Sequence, residues 1–337
     1  MIRQLPPENG AVVASFDATA TQMREDVNLF IASLFKKQFP TSLYTPMKYA
    51  MSSGGKKLRP LLLLLSAKAF GGDVKSAVPA AAAVEILHNF TLVHDDIMDD
   101  DQTRRGRKTV HKEWDADTAL LAGDGLVALA YQSLFSLQSP EISRIGRIFT
   151  DGIMDVCEGQ AFDREFETRD QVPMNEYLDM ICKKTGRLLS MCTQIGALLA
   201  GACEEKLIQM REFGESLGIA FQIQDDLLDI TTEERILGKD FGSDVKQKKK
   251  TFMLVHALQS ASGETIKYLN SLFESQNIGA EDVHAIRSVF EKTGTLAATR
   301  QAIESHFQRA KTCLKAALPD GAEDLTAFVQ MVFKRRF

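Results

Sequence analysis

The chain has 337 residues, 45% of them hydrophobic and 25% charged, which is the balance of a globular protein and not of a disordered or membrane-spanning one. Forty Lys and Arg against 45 Asp and Glu give a formal charge of −5, which argues against a surface built chiefly to grip nucleic acid. Any anion this protein binds must therefore be held by a local cluster.

The first ten residues carry no apolar core of signal-peptide type. The greasiest run, residues 61–65, is far below the roughly 18 residues a membrane helix needs, so no transmembrane segment is expected. From there on apolar residues recur at three- and four-residue intervals and strand-like alternation is scarce. The spacing predicts an all-α fold in a single domain over 1–337. Pro40 and Pro46 bracket an early turn, Gly54-Gly55 ends a short helix, Pro60 marks the start of the next and Gly71-Gly72 closes it. A long apolar segment covers 75–100. Further helices are predicted over 118–137, 143–166, 174–202 with a break at Gly186, 204–231, and in several pieces from 251 onward. The least helical stretches are 101–109 and 237–250, each too short to be a linker. Cys157, Cys182, Cys192, Cys203 and Cys313 form no CxxC pair and no metal-ligand spacing, as expected of a reduced, cytoplasmic chain without a zinc site.

One short word occurs twice. Asp95-Asp96-Ile97-Met98-Asp99 and Asp225-Asp226-Leu227-Leu228-Asp229 are both DDxxD, each at the C-terminal end of a long apolar helix. Residues four apart lie about 40° from each other around a helix and roughly 6 Å along it, so the outer carboxylates of each word share a face. Clustered carboxylates repel one another, and at a helix C-terminus they also oppose the macrodipole. A compensating cation is the simplest reason to keep them. Hard oxygen ligands on few residues suit Mg²⁺, which completes its shell with water and substrate phosphate. One such word alone reads equally well as a solvated acidic helix end; two copies favour a functional role. His88 and Thr91 fall on the face of Asp95, and Gln222 near that of Asp225, so polar character continues into both apolar helices.

The basic residues sit near turns. Gly54-Gly55-Lys56-Lys57-Leu58-Arg59-Pro60 resembles an anion-holding loop at a helix start, without the GxxxxGK[ST] spacing of a Walker A loop. Arg104-Arg105-Gly106-Arg107 follows the first aspartate word directly. Singly, each run reads as a solvated face. Beside two acidic metal words they read as parts of a diphosphate site.

From 54 to about 251 these motifs resemble, in order, those of the trans-isoprenyl diphosphate synthases, or polyprenyl synthetases, an all-α family with a helical bundle around a central cavity. The resemblance implies Mg²⁺-dependent head-to-tail condensation of isopentenyl diphosphate with allylic diphosphates, with three Mg²⁺ ions and a homodimer. It implies that Lys56, Arg59 and His88, assisted by Arg105, hold isopentenyl diphosphate. Arg104, Lys184, Thr185, Gln222 and Lys239 would hold the allylic diphosphate. Asp95, Asp99 and Asp225 match the metal ligands, while Asp96, Asp226 and Asp229 complete the catalytic words, and Lys184 is also placed among the catalytic residues. Gln160 and Asp163 resemble cavity-lining positions. Two departures stand out: Lys57 replaces a common arginine, and Gln247-Lys248-Lys249-Lys250 precedes Thr251 where relatives carry Glu-Gly-Lys. Any of the lysines from 246 to 250 could take the phosphate role. The tail Lys334-Arg335-Arg336 reads either as a closing element or as a frayed end.

Product length in this family is implied to depend on the residues five and four before the first word, here Phe90 and Thr91. One aromatic and an uninterrupted DDxxD form the intermediate pattern, so C20 geranylgeranyl diphosphate is expected, with C15 farnesyl diphosphate second. A terpene cyclase would ionise the same kind of substrate, but commonly lacks a second DDxxD and a second diphosphate site. A regulatory subunit would be expected to lose one aspartate word.

Overall fold

Helices α1 (Pro7–Leu34), α2 (Thr41–Met51), α3 (Leu58–Ala69) and α4 (Val74–Met98) lead into a short hairpin and α5 (Val110–Glu113). They are followed by α6 (Ala116–Leu134), α7 (Ile142–Thr168), α8 (Met174–Ile181), α9 (Arg187–Leu199) and α10 (Glu204–Thr231). Beyond these lie helices Ser243–Lys246, Phe252–Ser260, Gly263–Glu274, Ala280–Lys292, Thr295–Ala317 and Glu323–Phe333. This is a computed structural model that describes residues 7–231, 242–274 and 278–333. Among them the only strands are β1 (Thr103–Arg104) and β2 (Arg107–Lys108), antiparallel with Thr103 opposite Lys108. The two-residue turn between them, Arg105-Gly106, has both φ angles positive (52° and 74°), the geometry that matches strand twist in a tight hairpin.

The chain divides into two compact units. The first comprises the chain up to Ile148, with Cys192–Ile208 and Leu318–Phe328. Its centre is α4, which packs chiefly against α6 and then α3. Asp73 caps α4 by accepting from the Lys75 amide at 3.0 Å, and Ala80–Ala83, Val84, Ile86 and Leu87 are buried. Elsewhere in the unit a glycine lets two helices approach closely: at Gly196 of α9 a Cβ would lie 2.3 Å from the Leu63 carbonyl oxygen of α3. This helix corrects the sequence reading of the apolar runs: α4 is long and apolar enough to cross a membrane, with mean hydropathy 1.3 over its best 18-residue window. That window is 67% buried within the protein, as a core helix would be.

The second unit comprises Phe149–Met191, Gln209–Ala317 and the chain from Val329. The break predicted at Gly186 is instead a π-helical turn, Cys182–Gly186, that joins α8 to α9. Glycines let the backbone crowd this turn. A Cβ at Gly159 would lie 2.4 Å from the Lys184 nitrogen, and one at Gly218 would lie 2.5 Å from the Gly186 Cα. π-turns are uncommon and concentrate at functional sites.

Candidate active site

In the first unit, Lys57 caps α3 in the left-handed conformation (φ 46°), and its ammonium turns inward to Glu85 at 3.2 Å. Glu85 is buried and Lys57 is half-buried, so this ion pair ties α3 to α4 and turns the Lys57 ammonium inward. Arg24 Nε donates to the Lys56 carbonyl at 3.0 Å. Arg105 bonds the Gly54 carbonyl, and its guanidinium lies where a side chain at Gly55 (φ +126°) would stand. Two basic runs some fifty residues apart in sequence are thereby folded onto one loop.

Arg59 Nη1 donates to His88 Nε2 at 3.0 Å. Arginine can only donate, so Nε2 is the acceptor and the neutral ring keeps its proton on Nδ1. Burial, reinforced by the charges of Arg59, Arg105, Arg104 and Lys57, holds His88 well below the usual imidazole range. Those same charges define a positive pole beside the first aspartate word. Asp96 is buried and accepts from Arg104 Nε at 2.5 Å, while Arg104 Nη2 reaches Asp101 at 3.3 Å. Burial raises the Asp96 carboxyl to about 6, against the opposing pull of Arg104. Asp95 and Asp99 remain half-buried on the same helix, with the Asp99 amide bonded to the Asp95 carbonyl at 2.8 Å. Phe90 and Thr91, also half-buried, lie one turn back.

The second word repeats this division of labour within the second unit. Asp226 is buried, with Tyr177 Oη donating to Oδ2 at 3.0 Å and Gln222 Nε2 donating to Oδ1 at 2.9 Å. Thr185 Oγ1 donates to Gln222 Oε1 at 2.9 Å, so the Gln222 amide is fixed at both ends. Burial, with repulsion from Asp244, raises the Asp226 carboxyl to about 8, and the two donated bonds oppose that rise. Asp225 and Asp229 are half-buried. Asp229 Oδ2 accepts from the Asp244 amide at 3.1 Å, at the start of helix Ser243–Lys246. Lys184 pairs with Asp163 at 2.6 Å, and Gln160 Oε1 is buried with no hydrogen-bond partner among the described residues.

Helix Ser243–Lys246 ends in a Schellman motif. The Lys248 amide bonds the Val245 carbonyl and the Lys249 amide the Asp244 carbonyl, both at 3.0 Å, with Lys248 at φ 59°. Glycine is the usual residue at such a position. Tyr177 is the residue that sequence reasoning missed: a lone tyrosine on an amphipathic helix looks like core, and its partner lies 49 positions downstream. Lys239 and the tail Lys334-Arg335-Arg336 lie outside the described residues.

The donor set fits Mg²⁺. Each word offers outer carboxylates on one helix face, backed by a buried, partnered second aspartate. Among the described residues no three carboxylate, imidazole or thiol groups gather as a ready-made chelate. A hard cation that takes water and phosphate oxygens suits such a partial shell.

A family profile described as polyprenyl synthetase matches residues 40–292. The chain is 42% identical over 272 residues to a geranylgeranyl diphosphate synthase of Sulfolobus acidocaldarius, an overlap of 80% of this chain and 82% of that one. It is 45% identical over 239 residues to a geranylgeranyl pyrophosphate synthase of Geoglobus acetivorans, covering 69% and 73%. Its fold is similar to the crystal structure of a geranylgeranyl pyrophosphate synthetase from Pyrococcus horikoshii, with TM-score 0.89, 32% identity, and 98% and 100% of the two chains covered. The chain belongs to the polyprenyl synthetase family, the class of trans-prenyltransferases that its paired aspartate words had indicated.

Proposed function

We propose that this protein condenses isopentenyl diphosphate head-to-tail with allylic diphosphates and releases geranylgeranyl diphosphate as its main product. The observation that carries the reading is the repeated construction of the aspartate words, each with a buried, hydrogen-bonded second aspartate and two half-buried outer ones. Relatives at 40–45% identity named geranylgeranyl diphosphate synthases, together with one aromatic at Phe90 and a small Thr91, support the C20 length. Incubation with isopentenyl diphosphate, each short allylic diphosphate and Mg²⁺, followed by measurement of chain length, tests it.

Asp95, Asp99 and Asp225 would hold the Mg²⁺ ions, three in the fully loaded enzyme. Bound there, Mg²⁺ supplies the positive charge that stabilises the departing diphosphate as the allylic C–O bond breaks. Asp96, Asp226 and Asp229 act through their neighbours: Arg104 is held by Asp96, Gln222 by Asp226, and the Ser243–Lys246 turn by Asp229. Lys184, Thr185, Gln222, Arg104 and Lys239 orient the allylic diphosphate. Lys248, in the left-handed position, matches the glycine of Glu-Gly-Lys, so Lys249 takes the lysine position of that motif.

Lys56, Arg59, Arg105 and the His88 Nδ1–H hold isopentenyl diphosphate beside the allylic carbon, where its double bond attacks and proximity replaces a bimolecular encounter. The Nε2 lone pair of His88 is already occupied by Arg59, so this ring does not take the proton lost on double-bond formation. The released diphosphate takes it. A homodimer is supported by an apolar outer face on α6, where Leu120 and Leu121 are 45% and 59% exposed, continuing to Phe135 just beyond its end. Five cysteines, none of them in a disulfide, suit a cytoplasmic location.

A further inference from the structure

His94 stands one residue before the first aspartate word, and none of the roles above uses it. Its imidazole lies edge-on against Phe90, one helical turn back on α4, with ring centroids 4.6 Å apart and planes at 65°. The same ring meets α6. Nε2 donates to the Leu120 carbonyl at 3.4 Å, and a Cβ at Gly123 would come within 2.1 Å of Nε2. The imidazole therefore occupies the space that a side chain at 123 would fill, and it stands as a wedge between Phe90 and α6. Phe90 is only half-buried, so closed core packing does not fix its ring.

We propose that His94 is a positioning residue for product length: its ring, seated in the gap left by Gly123, holds Phe90 in the orientation that stops the growing chain. The inference rests on the reading of Phe90 as the floor of the product cavity. Without the imidazole, Phe90 turns toward the vacated space and the chain runs further before meeting it. With a methyl group at position 123, the imidazole is pushed off α6 and toward Phe90, and the chain stops sooner. What His94 contributes is ring volume, so another aromatic ring at 94 preserves the product.

The test compares product distributions at matched low conversion, with isopentenyl and farnesyl or geranyl diphosphate and Mg²⁺, for wild type, His94→Ala, His94→Phe, Gly123→Ala, Phe90→Ala and the Phe90→Ala/His94→Ala pair. His94→Ala should raise the ratio of longer products to C20 about tenfold, the discrimination typical of a small change in an apolar pocket. His94→Phe should restore the wild-type ratio, and Gly123→Ala should raise the share of C15. The pair should match Phe90→Ala alone, because His94 acts only through Phe90. An unchanged distribution in His94→Ala and Gly123→Ala while Phe90→Ala lengthens the product overturns the wedge and leaves the floor intact. A further shift in the pair beyond Phe90→Ala also overturns it. No lengthening with Phe90→Ala overturns the floor reading itself, and the wedge with it. Gly123→Ala, on the facing helix, keeps the test decisive should His94→Ala fold poorly.

Discussion

Tyr177→Phe removes one oxygen atom from a fully buried ring, and the structure shows what that oxygen does. It donates to Asp226 Oδ2 at 3.0 Å, while Gln222 holds Oδ1 at 2.9 Å and is itself held by Thr185. A neutral hydrogen bond contributes about 0.5–1.5 kcal/mol, and its loss leaves a buried oxygen without that donor, a penalty of about 1–3 kcal/mol. Part of the cost falls on folding and should lower the melting temperature by a few degrees. The remainder falls on the allylic side, because Asp226 can then rotate and Gln222 loses its fixed acceptor. We expect kcat/KM for the allylic diphosphate to fall about tenfold, equal to roughly 1.4 kcal/mol. The KM for isopentenyl diphosphate should stay within about twofold, since Lys56, Arg59 and His88 belong to the first compact unit and Tyr177, Thr185, Gln222 and Asp226 to the second. Diphosphate release, measured with each substrate varied in turn, separates the two. A lowered melting temperature with unchanged kcat/KM for the allylic substrate would show Tyr177 to be packing alone, and equal losses for both substrates would show a general loosening.

Replacing Asp95 or Asp225 with Ala should cost on the order of a hundredfold or more in turnover, the scale of losing a preorganised electrostatic group, and full activity in both variants would refute the ligand assignment. His88→Ala should raise the KM for isopentenyl diphosphate about tenfold or more and leave the allylic KM near wild type; the reverse pattern would exchange the two sites. Lys248→Gly should stabilise the protein by up to about 1 kcal/mol in chemical denaturation, because glycine avoids the left-handed penalty at the end of helix Ser243–Lys246; destabilisation would contradict the Schellman reading. Asp226, raised to about 8 from an ordinary value near 4, binds a proton in the folded state across that window and not in the unfolded chain. Its contribution to the stability of the metal-free protein therefore falls as pH rises from about 4 to about 8, and Asp226→Asn should flatten that slope in thermal melts.

The aspartate words were legible because their meaning lies in i, i+4 spacing, and α4 and α10 carry both words on the predicted helices. The roles of their members were not, since these depend on which carboxylate turns inward. Asp96 and Asp226 are the members that turn inward, buried against Arg104 and Tyr177. The basic runs could be suspected of acting together, but only the folded hairpin shows Arg105 lying over Gly55. That hairpin was visible only as a lack of helical pattern, because arginine is an unusual first residue for a turn with two positive φ angles. At Gly186 the sequence suggested an interruption, whereas crowding by Gly159 and Gly218 goes with a widened π-turn that keeps the helix continuous. Lys248 hid the end of helix Ser243–Lys246 for a similar reason: the left-handed residue that closes the motif is a lysine where glycine is the usual signal.

The most direct test is to incubate the purified protein with isopentenyl diphosphate and geranyl or farnesyl diphosphate, with and without Mg²⁺, and to resolve the products by chain length. Consumption of isopentenyl diphosphate that stops on chelation, with C20 geranylgeranyl diphosphate as the main product, is the expected result. Ionisation of the allylic substrate to a hydrocarbon with isopentenyl diphosphate left untouched would contradict the account.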